Sequence, residues 1–347
     1  MAGSKRTGFA VVGLGNIAEM AVLPAFKHSK KTRLIALVSG NEKKARRLAL
    51  KFGVSDYYTY DDYALCLSHP QVDAVFVATS NGTHAEFTER AAAAGKHVLC
   101  EKPLAATLEE GQRMVEACRA SDVRLMVAYR KYFDPASLEL KKLVSRDKLG
   151  RLKVIHSAFT IFIPPGKKAE SWHLSRRQAG GGSLMDVGIY CVNTARWLVD
   201  KDPVEAVAYS WTVAPERFRE VEENIAFRLT FPEGLVLQAT SSFGAADASF
   251  LHVHGERGWA ALDPAFEWDL ERRLFGKIGG RWFEKKFKVI DEFALELDAF
   301  ADCIRRKRDP EPSGVEGLRD MVIMRAIYRS ARENRPVPIN VPYAVPA

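Results

Sequence analysis

Residues 9–18, FAVVGLGNIA, carry four apolar residues straight into a glycine-led turn, and they decide the fold of the amino-terminal half. Phe9–Val12 lacks polar alternation, the pattern of a strand covered on both faces. Gly13, Gly15 and Ala18 then fit G-x-G-x-x-G/A, with a helical stretch after them and a second apolar run about twenty residues on. Gly13 makes the tight turn, Gly15 lets backbone approach a pyrophosphate, and Ala18 permits close helix–strand packing. Asn16 and Ile17 complete the loop, whose orphan amides at the helix start suit phosphate oxygens. Dinucleotide binding is the reading this stretch supports.

Working outward, the apolar runs Leu34–Val38, Ala74–Ala78, Val98–Cys100 and Leu125–Ala128 alternate with helical segments over 42–52, 83–95 and 107–121. Strand–helix alternation with continuously apolar strands predicts a doubly wound parallel sheet, an α/β domain placed over residues 1–129.

The end of the second run, LVSGNEKKARR at 37–47, bears on which dinucleotide is held. An NAD site places an acid there for the ribose 2′-hydroxyl. Here Ser39, Gly40 and Asn41 stand at the tip, with Lys44 following. A small hydroxyl leaves room for a 2′-phosphate and a cation neutralises it, so NADP is expected rather than NAD. Glu42 is the competing feature, since it can reach a 2′-hydroxyl; Lys43, Arg46 and Arg47 also read as a solvated helix face. In VATSNGTHAEF at 77–87, Thr79, Asn81 and His84 fall where a parallel sheet collects ligands. Asn81 or Thr83 reads equally well as a helix cap.

A further stretch, HVLCEKPLAA at 97–106, ends an apolar run in Glu101 and Lys102 before Pro103. A buried strand has no structural use for a carboxylate and an ammonium at its tip. An ammonium beside a reacting hydroxyl stabilises developing alkoxide and lowers the pKa of a neighbouring acid–base group.

The chain's 347 residues suit two domains. At 47% hydrophobic and 27% charged it is ordinary globular protein, and no run approaches the roughly 18 apolar residues of a membrane span. The polar lead MAGSKRT passes directly into a strand without an apolar secretory segment, so a cytoplasmic location is expected. Five scattered cysteines without C-x-x-C spacing read as reduced, buried thiols, and no metal site is expected. The net charge of +8 is spread along the chain without a nucleic-acid-binding motif, so no nucleic acid is expected as partner.

In the second half, placed over 130–347, VAYRKYFDPAS begins a helix with Asp134 as its cap. GGGSLMDVGIYCVNTARWLV at 180–199 sets Asp186 and Tyr190 four apart, on one face of an α-helix. Ser183 and Asp186 also read as a capping box, and Tyr190 as a core aromatic. ESWHLSRRQAGGG adds Trp172, which either stacks on a sugar ring or packs on the surface. Arg176 and Arg177 likewise bind a hydroxyl or phosphate, or lie on the surface. Alternating stretches at 204–213, 224–231 and 235–243, with turns PEG, GERG and GKIGG, predict antiparallel strands covered on one face. Helices over 291–307 and 314–333 close the chain before a proline-rich tail, read as an extended strap.

GLGNIA, SNGTH, CEKPLA and AGGGSLMDVGIYCVNTARWL together resemble the Gfo/Idh/MocA oxidoreductases, and within them the glucose–fructose oxidoreductase branch. The resemblance covers most of the chain. It implies a Rossmann domain followed by an α+β domain on a large, mostly antiparallel open sheet, through which two or four copies associate. It also implies that Glu101 holds cofactor hydroxyls and that Lys102 points at the reacting oxygen, before a cis Lys102–Pro103 bond. Arg130 then faces cofactor or substrate; its other reading is an interdomain salt bridge. The family places an acid and commonly a His where this chain has Asp186 and Tyr190, and the Tyr version matches this branch and that of the dihydrodiol dehydrogenases. A tyrosine, with an ordinary pKa of about 10, needs a cation beside it to act as base near neutrality. Tyr190 as acid–base group, Lys102 as its electrostatic partner and Asp186 as orienter or sugar-hydroxyl acceptor follow, with His173 in reserve as base. The implied activity is NADP(H)-dependent hydride transfer to or from a sugar or polyol carbon. A dihydrodiol- or D-xylose-type dehydrogenase and a non-catalytic NADP-binding regulator are the alternatives.

Overall fold

The computed structural model describes residues 6–166 and 172–343. The chain divides into two compact units, residues 1–130 with 291–318, and residues 131–290 with 319–347. A single cut at 129/130 is therefore corrected: the chain returns to its first unit near the end. The reason is the helix Glu292–Arg306, whose Asp298 accepts from the backbone amides of Lys30 and Lys31 and from the Ser29 hydroxyl. Phe300 of the same helix meets Phe9 edge-on at 6.3 Å between ring centroids.

The first unit holds six parallel strands: β1 (Thr7–Val12), β2 (Thr32–Val38), β3 (Asp56–Tyr58), β4 (Ala74–Val77), β5 (His97–Cys100) and β6 (Leu125–Val127). Their order is β3-β2-β1-β4-β5-β6, the doubly wound order with its switch point at β1 and β4. All residues of β1, β4 and β6 are buried, which is why their sequences show no alternation. The helix Glu42–Phe52 starts on the Asn41 side chain, which accepts from the Lys44 amide, and Leu108–Ala120 starts on a Thr107–Glu110 capping box. β3 has no apolar pattern to announce it, its three residues, Asp-Tyr-Tyr, being half-buried.

The second unit is built on nine strands: β7 (Leu152–Thr160), β8 (Glu205–Trp211), β9 (Asn224–Thr230), β10 (Val236–Ser242), β11 (Ala248–Gly255), β12 (Gly258–Asp263), β13 (Arg272–Ile278), β14 (Arg281–Phe287) and β15 (Val337–Pro338). Their order is β14-β13-β12-β11-β7-β10-β9-β8-β15. Every pairing is antiparallel except β7 with β10. Ile155, Phe159, Leu237, Phe227 and Leu251 turn to one face and are buried, and the almost wholly buried helix Ile189–Val199 lies against it. The opposite face is read from the register: Ala158 pairs with Thr240, Thr240 with Ala226, and Ala226 with Tyr209. Tyr209 is 62% and Trp282 60% exposed there. The tail strap pairs as β15 with the β8 edge, and residues 344–347 of it lie outside the described part. No helix among the described residues is long and apolar enough to cross a membrane, and all five cysteines are buried free thiols.

Candidate active site

Because the first sheet is parallel, the residues that follow its strands gather at its carboxyl edge: Gly13 after β1, Ser39 after β2, Thr79 after β4, Glu101 after β5 and Arg130 after β6. Gly13 has φ +88°, and a Cβ there would fall 2.5–2.6 Å from the backbone of Ala78 and Thr79. Only glycine fits a loop pressed this closely on the β4 tip. A Cβ on Gly15 would meet nothing within 4 Å, and Asn16 beside it is exposed. That open, side-chain-free surface is what a pyrophosphate requires. After Ile17 the chain forms a π-helical turn, Ala18–Val22, that runs on as the α-helix Leu23–His28.

At the β2 tip, Ser39 is buried and its hydroxyl accepts from the Asn41 amide at 3.1 Å. The Asn41 side chain, expected at the cofactor, caps the following helix, its Oδ1 accepting from the Lys44 amide at 3.0 Å. Gly40 backs onto Tyr60, whose ring would lie 3.0 Å from an added Cβ. Lys44 and Arg47 both reach the Glu19 carboxylate. Tyr60 and Glu19 escaped the sequence reading, since each comes from an element other than the one carrying the motif.

His84, expected as a cofactor contact, is corrected to an internal clip. It is fully buried, with Nδ1 at 3.1 and 3.3 Å from the carbonyls of Pro103 and Leu104, and Nε2 at 3.2 Å from that of Thr79. The ring sits between the loop after β4 and the turn after β5, and its tautomer, with one N–H, decides which of the two receives its hydrogen bond. Burial pulls its pKa down to about 4 against the carbonyl bonds, and the Lys102 charge adds to the effect, so the ring is neutral. Thr79 is half-buried and Asn81 buried, and no side-chain cap bond comes from Thr83 at the helix start.

Glu101 is buried with its amide on the Val77 carbonyl, Lys102 is half-buried, and the Lys102–Pro103 bond is cis. Arg130 is also buried: Nη1 donates to Glu292 at 2.7 Å and the guanidinium lies 5.7 Å from the Phe293 ring centroid. That pair lies within the first unit. Glu296, one turn beyond Glu292, is fully buried with no hydrogen-bond partner on either oxygen. Burial first, then the Glu101 and Glu292 carboxylates, push its pKa well up. Glu292 and Glu296 were invisible in the sequence because an amphipathic helix with charged residues reads as a solvated face.

In the second unit, Asp186 and Tyr190 are carried differently from expectation. Leu184–Gly188 is a π-helical turn that becomes α-helical only at Ile189. Ser183 makes no cap; its hydroxyl accepts from Ser241 at 3.1 Å. The glycine run is pinned from outside instead: the Glu222 carboxylate accepts from the amides of Gly182 and Leu184, both at 2.9 Å, and from the Tyr328 hydroxyl at 2.9 Å. A Cβ on Gly181 would fall 2.0 Å from the Tyr328 oxygen, and one on Gly182 1.9 Å from the Glu222 carbonyl oxygen. Tyr190 is buried, its ring edge-on to Phe159 at 5.4 Å and tilted on Phe266 at 5.6 Å. Asp186 lies 3.8 Å from His173 Nε2, and the Trp172 ring lies over His173 with centroids 3.7 Å apart. Arg176 is held by Glu220, whereas Arg177 is exposed. Asp186, Tyr190, Trp172 and His173 thus all belong to one unit, and the dinucleotide residues to the other.

The profile described as "Oxidoreductase family, NAD-binding Rossmann fold" matches residues 7–129, and that described as "GFO/IDH/MocA C-terminal domain" matches residues 137–261. The chain belongs to the Gfo/Idh/MocA oxidoreductase family. Its first unit is accordingly an NAD(P)-binding Rossmann domain, and its chemistry is that of an oxidoreductase acting on CH–OH groups. The chain is 33% identical over 93% of its length to D-xylose 1-dehydrogenase [NADP(+)] of Haloarcula marismortui, of which 90% is covered. It is 30% identical over 93% of its length to 1,5-anhydro-D-fructose reductase of Ensifer adhaerens, of which 96% is covered. Among solved structures, aldose-aldose oxidoreductase from Caulobacter crescentus, complexed with glycerol, superposes with a TM-score of 0.92 at 36% identity, covering 96% of this chain and all of that one.

Proposed function

We propose that this Gfo/Idh/MocA protein is an NADP(H)-dependent dehydrogenase or reductase of an aldose or related polyol. The observation that carries the reading is the carboxyl edge of the first sheet, where an open glycine loop, a cation-rich β2 tip and Glu101–Lys102 follow neighbouring strands. The activities of the xylose, anhydrofructose and aldose–aldose enzymes support a sugar as substrate, and that of the xylose enzyme supports NADP.

In this reading Gly13–Ile17 hold the pyrophosphate, Ser39, Gly40 and Lys44 the 2′-phosphate, and Thr79, Asn81, Glu101 and Arg130 the nicotinamide half. The nicotinamide, when bound, accepts or supplies the hydride. Lys102 stabilises the substrate oxygen as it becomes alkoxide-like, and Tyr190 takes its proton on oxidation or returns it on reduction. Asp186 accepts from a sugar hydroxyl, Trp172 stacks on the ring, and Arg177 stands at the rim of the sugar site. We also propose that copies pair as homodimers or homotetramers through the open face of the second sheet, where Tyr209 and Trp282 are exposed.

Following reduced nicotinamide during incubation with NADP+ and a panel of aldoses tests the activity. Turnover with at least one sugar is expected; tight nucleotide binding without turnover on any of them would mark a regulator instead.

A further inference from the structure

Glu19 lies just past the glycine loop, its amide donating to the Gly15 carbonyl at 3.0 Å. Its carboxylate crosses to the helix that starts at the β2 tip. It accepts from Arg47 Nη2 at 2.9 and 3.1 Å and pairs with Lys44 Nζ at 3.3 Å. The side chains of Glu19, Lys44 and Arg47 are 21%, 29% and 55% exposed, so the cluster is open to an incoming ligand. The Arg47 hydrogen bond holds the Glu19 carboxyl below its usual range, which keeps it anionic at neutral pH.

One anion thus already engages Lys44, the cation assigned above to a 2′-phosphate on the adenosine ribose, together with its neighbour Arg47. We propose that Glu19 is a specificity-determining residue, an internal stand-in for the 2′-phosphate that holds down the preference for NADP over NAD. The inference rests on the cofactor reading given above. A phosphate monoester carries about −1.5 to −2 charge near neutrality and three acceptor oxygens, so it can take the cations from a carboxylate. It must displace that carboxylate, and it is repelled by it wherever the two remain together. A 2′-hydroxyl meets neither cost.

The test is calorimetric binding of NADP+, NAD+ and adenosine 2′-phosphate to the full chain and to Glu19→Gln, Lys44→Ala and the double variant. Glu19→Gln keeps the shape of the side chain at an accessible position, and unchanged thermal unfolding confirms the fold. NADP+ and adenosine 2′-phosphate should bind about tenfold tighter to Glu19→Gln, the size of one hydrogen bond to a charged group, with NAD+ changed by less than about twofold. Adding Lys44→Ala should remove the gain. The proposal falls if Glu19→Gln leaves NADP+ binding unchanged, or if it weakens NAD+ as loss of a ribose-hydroxyl acceptor would. In those cases a loss of NADP+ affinity in Lys44→Ala alone leaves the cofactor reading standing. If NAD+ binds tighter than NADP+ and Lys44→Ala is silent, the cofactor reading has failed and the proposal goes with it.

Discussion

Arg130 donates to Glu292 across 2.7 Å with the guanidinium 6% and the carboxylate 0% exposed, and Glu296 lies buried beside them with no hydrogen-bond partner of its own. The two glutamates sit one turn apart on one helix yet have different surroundings. Glu292 has the Arg130 guanidinium as its partner, whereas burial and the Glu101 and Glu292 carboxylates, opposed by Arg130, push the Glu296 pKa well above its usual range.

Their isosteric replacements should therefore diverge. Glu292→Gln removes the carboxylate that lies 2.7 Å from the buried Arg130 guanidinium and is expected to cost about 3–5 kcal/mol in denaturant unfolding. Glu296→Gln replaces a carboxyl whose charged form burial disfavours with an isosteric neutral amide. In the unfolded chain Glu296 ionises near its ordinary value of about 4.3, while in the fold it holds its proton to much higher pH. Its contribution is whole below the unfolded pKa and is eroded as pH rises toward the folded one. Glu296→Gln should thus gain stability relative to wild type between pH 5 and pH 8, by unfolding curves taken across that range. A variant that loses stability there would mean that Glu296 is ionised in the fold.

His84 gives the opposite slope. Its pKa in the fold is about 4, below the ordinary histidine value that the unfolded chain recovers. The contribution is complete above pH 6.5 and is lost as pH falls toward 4, because the unfolded chain takes up a proton that the fold refuses. The loss should be about 3 kcal/mol, and it should be missing from a His84→Gln variant measured over the same range. Equal acid slopes for the two proteins would contradict the neutral, buried clip.

What could be read from the sequence follows from where the physics is local. Phe9–Val12 and Gly13–Ala18 announce strand and turn because burial on both faces and a positive φ are written in adjacent residues. Asn41 shows the limit of that reading: its place at the β2 tip was legible, but its Oδ1 serves the Lys44 amide. Glu222 and Tyr328 could not be read at all, since they act on Gly181–Leu184 from positions 38 or more residues away. The same holds for Glu19 against Arg47 and for Glu292 against Arg130. The π-helical turn at Leu184–Gly188 was hidden because nothing in LMDVG opposes an α-helix; the clamp on its first amides comes from outside it.

Glu222 is expected to be a positioning residue for Tyr190 and Asp186. Its carboxylate accepts from two amides of the loop that launches their helix and from the Tyr328 hydroxyl, although burial raises its pKa. In Glu222→Gln, an amide nitrogen faces donors, and the loop must shift. Turnover should fall by on the order of tenfold to a hundredfold, as displacement of a catalytic group by about an ångström does, while nucleotide affinity, set in the other unit, stays unchanged. Tyr328→Phe, which keeps both amide bonds, should be milder. Equal losses of nucleotide binding and turnover would point to general unfolding instead.

The proton-transfer assignment has the sharpest consequence. Tyr190→Phe removes one oxygen from a ring fixed by Phe159 and Phe266, so its packing should survive. With Tyr190 as acid–base group, turnover should fall by about 10²–10⁴-fold, and the pH dependence of kcat/KM should lose the limb belonging to that group. Lys102→Met should lower turnover similarly by removing the ammonium, with nucleotide binding retained in both variants. His173 supplies the control, because it lies 3.8 Å from Asp186 and can serve as a base in its place. Near-wild-type turnover in Tyr190→Phe, together with a lost limb in His173→Gln, would move the proton to the imidazole and leave Tyr190 as a packed core aromatic.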